Sequence, residues 1–157
     1  MNVRLLITLL ALAVGLVSHA VSHAADTTEP APRASDPLAG ARTHIQAKRW
    51  AEAATELKKV NATRSADWNN LLGFALRKMS PPDLDGAQRH YDNALRIDPR
   101  HRGALEYAGE LALMTGKLTV AEEHLATLTK ACGKCEELDD LKQAVDKFKA
   151  NGNRYAP

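Results

Sequence analysis

The chain has 157 residues, of which 45% are hydrophobic and 25% charged, and its formal net charge is +2. That length suffices for one domain with its own core. Basic and acidic residues are interspersed, so the basic face that a nucleic-acid partner requires is missing, and no nucleic acid is expected.

The first residues, MNVRLLITLLALAVGLVSHAVSHAAD, carry one charge, Arg4, ahead of an uncharged apolar run of 13 residues from Leu5 to Val17. Small residues follow, and Ser22-His23-Ala24 offers a small-x-small cleavage site. This is the layout of a secretory signal peptide over residues 1–24, cut after Ala24 or Ala25. The run is short for a bilayer-spanning helix of about 20 residues. Retention as an anchor is the competing reading. Cleavage removes Arg4 and leaves 20 basic against 19 acidic residues. An exported, periplasmic or secreted, protein is the expectation, with no membrane contact once the signal is removed. Residues 25–36 hold prolines and no large apolar residue, which predicts a flexible linker.

From Pro37 onward, apolar residues recur at spacings of three and four, and no useful stretch alternates with period two. The expected class is all-α. Seven helical segments follow in order. Leu38, Ala41 and Ile45 mark the first, and Trp50, Ala53, Ala54, Leu57 and Val60 the second, split near Lys48-Arg49. Trp68 to Met79 forms the third, ended by Ser80-Pro81-Pro82, and Leu84 to Leu95 the fourth, ended by Asp98-Pro99. Asp83-Leu84-Asp85-Gly86 lacks the spacing and closing glutamate of a calcium loop and reads as a helix start. Ala104 to Ala112 makes the fifth segment, up to the Gly116 break, and Leu118 to Leu128 the sixth. The seventh carries Leu138, Leu141, Val145 and Phe148, with acids in its first turns and lysines in its last, as the helix dipole favours.

The segments repeat. Ala53, Ala87 and Ala121 are spaced by 34 residues, and four residues after each stands Leu57, Tyr91 or Leu125, then Val60, Ala94 or Leu128. Small residues recur on the first helix of each pair at Ala41, Gly73 and Gly109. A fixed period of this length is the signature of stacked helix pairs, none of which buries its apolar face alone.

In WNNLLGFALRK…DLDGAQRHYDNALRIDP and RGALEYAGELALMTGKLTVAEEHLATL the chain resembles the tetratricopeptide repeat family. The middle repeat supplies Gly73, Ala87, Tyr91, Ala94 and Pro99. The last supplies Gly109, Ala121, Leu125 and Leu128, with Gly133 where the family has proline, and the first, with Ala41, Ala53, Leu57 and Val60, is the most diverged. Gly73 to Ala87 runs two residues longer than the family spacing, which marks Ser80-Pro81-Pro82-Asp83 as an insertion between helices. The resemblance implies a right-handed α-solenoid of three helix pairs, at 37–65, 66–99 and 100–132. A capping helix at 133–150 and a tail at 151–157 complete it.

The resemblance also implies a concave groove, lined by the first helices, that binds a protein or peptide partner without catalysis or cofactor. The matching positions are Arg42 and Gln46 in the first repeat, Asn70, Phe74, Arg77 and Lys78 in the second, and Glu106, Glu110 and Met114 in the third. Phe74 is either an anchor for a ligand side chain or a packing residue against a neighbouring helix. Four of the five positions that form the family's carboxylate clamp hold Arg42, Leu71, Gly103 and Tyr107, so capture of a chaperone C-terminus is not expected. A monomer is expected.

The only cysteines, Cys132 and Cys135, form a C-x-x-C pair at the junction of the last repeat and the cap. In an exported chain two cysteines favour a structural disulfide. The alternative function is a redox or metal-handling protein using this pair. Against redox chemistry stand Glu136, Glu137, Asp139 and Asp140, whose negative charge opposes a thiolate. Against a metal stands the need for two further ligands, and Glu136 occupies the place where haem attachment requires histidine. Asn61-Ala62-Thr63 is a glycosylation sequon that matters only in a host that modifies it.

Overall fold

The computed structural model describes residues 36–155. The expected signal segment and all but the last residue of the linker lie outside the described residues. Within them the chain forms seven α-helices and no strand: α1 (Ala39–Gln46), α2 (Trp50–Val60), α3 (Ala66–Lys78), α4 (Leu84–Ile97), α5 (Arg102–Met114), α6 (Leu118–Cys132) and α7 (Glu136–Ala150). The protein is a right-handed α-solenoid of three tetratricopeptide-like helix pairs closed by a capping helix.

Local chemistry sets the breaks. Ser65 caps α3 by accepting from the Trp68 amide at 3.2 Å, and Asp83 caps α4 by accepting from the Gly86 amide at 2.8 Å. The expected insertion, Ser80-Pro81-Pro82-Asp83, therefore ends in a helix cap. Asn61 closes α2 in the left-handed region at φ 50°, where asparagine is tolerated. Gly133 closes α6 at φ 64°, a conformation that a side chain would strain.

The repeat residues build the core. Ala53, Ala87 and Ala121 are all fully buried, as are Leu57 and Tyr91. Gly73 lies beneath Tyr91: a Cβ there would meet the ring at 2.7 Å, so the small residue lets α3 and α4 close. Gly109 serves a different neighbour. Its Cβ would meet Leu141 of the cap at 2.6 Å. The glycine of the last pair thus receives α7, which packs on α5 as the first helix of a further repeat would. Leu141, Val145 and Phe148 bury the inner face of α7, and Leu95 joins this cluster to the core of the first two pairs.

Cys132 ends α6 and Cys135 stands just before α7; a disulfide joins them, with Cα atoms 6.0 Å apart. Both are half-buried against the core beneath the cap. Among the described residues no third group converges on them to hold a metal, and no helix is long and apolar enough to cross a membrane.

Candidate functional site: a concave groove

Helices α1, α3 and α5 each present one face to a common groove of about 520 Å³, with α7 contributing Glu137 at one side. This volume lies within the range of sites that accept a few side chains of a ligand.

Most charges on the rim are engaged with one another. Arg42 Nε and Nη2 bridge Asp36 at 3.3 Å and Asp67 at 3.4 Å. Asp67 also meets His101 Nε2 at 2.8 Å, while His101 Nδ1 accepts from the Ala104 amide at 3.0 Å and so caps α5. An Nδ1 that accepts leaves the ring proton on Nε2, which donates to Asp67. Arg100 Nη2 donates to the carbonyls of Lys130 and Ala131, both at 3.1 Å, at the end of α6. Arg102 Nε lies 3.5 Å from Glu137.

The floor is aromatic. Phe74 packs edge-on to Trp50 with centroids 5.5 Å apart and against Tyr107 at 4.6 Å. It is half-buried, so it both fills the interhelical space and faces the groove. Arg77 is 4% exposed and sits under this layer. Its guanidinium carbon is 5.6 Å from the Phe74 centroid and 5.4 Å from that of Tyr107, and Nη2 is 2.6 Å from Glu110. The ion pair ties α3 to α5 from inside the solenoid.

The expected groove residues therefore divide. Arg42, Asn70, Phe74 and Glu106 line the cavity. Arg77 is interior, and Met114 touches it from below with Sδ 3.9 Å from Nη1. Glu110 faces a separate cavity of about 160 Å³ beside α7, together with Phe148 and Tyr155. Lys78 is exposed at the edge with Nζ 5.9 Å from the Phe74 centroid, and Gln46 is exposed at the end of α1. Leu71, Gly103 and Tyr107 also line the groove, so all four positions compared with the family's clamp lie there with none of its lysine or asparagine. Gly103 has a specific reason: a Cβ would come within 2.9 Å of Asn70 Nδ2. Sequence reasoning missed Asp67 in the first turn of α3 and Arg100, His101 and Arg102 around the turn before α5; for the last three the charge density of DPRHR was the available signal.

Two groups in the groove lack partners. Asn70 Oδ1 is buried without a hydrogen bond. Glu106 is 7% exposed and forms no ion pair or hydrogen bond with any described residue. Burial pushes its carboxyl up to about 8, helped by the charges of Glu110, Asp140 and Glu137; Arg77 opposes the shift.

These features define a class: a tetratricopeptide-like helical-repeat protein with a groove on the face of its first helices. Among solved structures, the chain is similar to the type III secretion chaperone SycD of Yersinia enterocolitica, solved in complex with a peptide of the translocator YopD. The TM-score is 0.61 at 18% identity, over 73% of this chain and 88% of that one. No family model matches, and no curated protein matches.

Proposed function

We propose that this chain is an exported, monomeric, non-catalytic member of the tetratricopeptide repeat family whose concave groove binds an extended segment of a partner protein. The observation that carries the reading is the groove itself, about 520 Å³ in volume, with half-buried Phe74 and Tyr107 on its floor and polar side chains around it. The structural likeness to a chaperone solved with a bound peptide agrees with it. Export rests on the layout of residues 1–24 and on the cysteine pair.

Crosslinking and pull-down from the native compartment is the direct test, run with Phe74→Ala and Arg42→Glu after melting curves establish that each variant folds. Partner recovery is expected to fall about tenfold for Phe74→Ala, the loss typical of an aromatic anchor. Full recovery of every partner by both variants would refute the groove.

The cysteine pair separates a scaffold from a redox protein. Replacing both cysteines by serine should lower stability by about 2 kcal/mol, the entropy of a short closed loop, and leave partner recovery unchanged. Loss of the partner without loss of fold would favour redox chemistry, and two titratable thiols in the unreduced, denatured protein would remove the staple.

A further inference from the structure

We infer that the groove selects a partner segment carrying a lysine or arginine, whose charged end is received by Glu106 with the Asn70 amide beside it. This deepens the peptide-binding reading and rests on it.

The cations of the groove are already engaged. Arg42 is held by two aspartates, Arg102 by Glu137, and Arg100 by the end of α6. Arg77, the cation nearest Glu106 from α3, is bound to Glu110 at 2.6 Å. Glu106 is thus an acid of the groove wall for which the fold supplies no counter-ion, although it is more than nine-tenths buried. Ionising an acid without a partner at such a depth is costly, so the carboxyl holds its proton until a cation is at hand. Asn70 Oδ1, on the facing helix and equally deep, is a second acceptor without a donor. Asn70 Oδ1 calls for a donor, and the carboxyl of Glu106, once ionised, calls for a charged one. The aromatic rings of Phe74 and Tyr107 line the same cavity and suit the aliphatic stem and the charge of a basic side chain.

The surroundings give the interaction a proton linkage. Facing Glu106 are Glu110 on its own helix, Glu137 and Asp140 from α7 and Arg77 from α3, while α4 contributes the phenol of Tyr91 behind Tyr107. The acid is therefore mostly protonated at neutral pH, and an arriving cation must displace that proton. Apparent affinity should rise with pH as the carboxylate fraction rises and level off above about 8.

The test uses degenerate, fluorescently labelled peptides of one length with the central residue fixed as lysine, arginine, glutamine or glutamate. Binding is measured by anisotropy to the mature protein and to Glu106→Gln. The lysine and arginine pools should bind at least about tenfold tighter than the glutamine pool at pH 8, and the gap should shrink by about tenfold or more at pH 6. In Glu106→Gln the gap should vanish at both pH values, which separates the carboxyl from His101 in the same groove. Equal binding of the lysine and glutamine pools, a preference for the glutamate pool, or a gap that survives in Glu106→Gln would overturn the inference while leaving peptide binding intact. Binding of no pool at all would overturn the groove reading together with it.

Discussion

Glu110→Ala is expected to destabilise the protein by about 3–5 kcal/mol, because it strands a buried guanidinium. The Arg77 side chain is 2% exposed, and that of Glu110 is 23% exposed. The two halves of the pair are therefore unequal. Without Glu110, Arg77 has only the faces of Phe74 and Tyr107 and the Met114 sulfur, and its Nε is already buried without a partner. Without Arg77, Glu110 can turn toward water in the neighbouring cavity. Arg77→Met should accordingly cost less, about 1–2 kcal/mol, mostly lost cation–π contact and the desolvation that Glu110 retains. The double change Arg77→Met with Glu110→Ala should recover most of the loss, since removing both halves of a buried pair leaves no charge stranded. Urea unfolding of the four proteins measures the coupling. A value below about 0.5 kcal/mol would mean that the pair does not hold α3 to α5. Removing Glu110 also takes one negative charge from beside Glu106, which offsets a small part of the cost.

Glu106→Gln is expected to stabilise the protein by about 3 kcal/mol at pH 7 and by nothing at pH 4. An acid whose folded value lies above its unfolded value binds its proton more tightly in the folded chain. Its stabilising effect on folding is whole below the ordinary value of 4.5 and is lost as pH rises to about 8. Stability should therefore decline across that window in the native protein and stay flatter in the variant, whose amide keeps the shape without the titration. Thermal or urea unfolding at pH 4, 6 and 8 reads the difference directly. A gain that is the same at all three pH values would show that Glu106 does not titrate in this window. The same substitution that stabilises the fold is the one expected to abolish selection of a basic segment, a conflict common where a site is kept unsatisfied for a ligand.

The fold was largely written in spacing. Ala53, Ala87 and Ala121 recur at a fixed interval and are buried without exception, because each must admit a neighbouring helix at close range. Lys48, at the expected break between the first two helices, takes φ 56°. The groove was legible only in part. Asn70, Phe74 and Arg77 lie on adjacent turns of one helix, and helical period alone does not say which of them turns inward. Arg77 goes inside because Glu110 waits there, and that partner is 33 residues away on another helix. Glu106 and Glu110 are one turn apart with like charge, an unfavourable arrangement in an isolated helix. The spacing places both acids on one face of α5, and only the structure shows that a single one of them is paired. The stacking of α3 on α5 decides which.

The seating of α7 against Gly109 bears on how such an array can change length. The cap occupies the berth of a next repeat, yet its outward side is polar, with Lys142, Asp146 and Lys149 all exposed. No other helix can take that berth on α5 without displacing α7 and uncovering Leu141, Val145 and Phe148. The polar outward side of α7 therefore offers a further helix pair no apolar face on which to stack, so the cap ends the array on that side of α5.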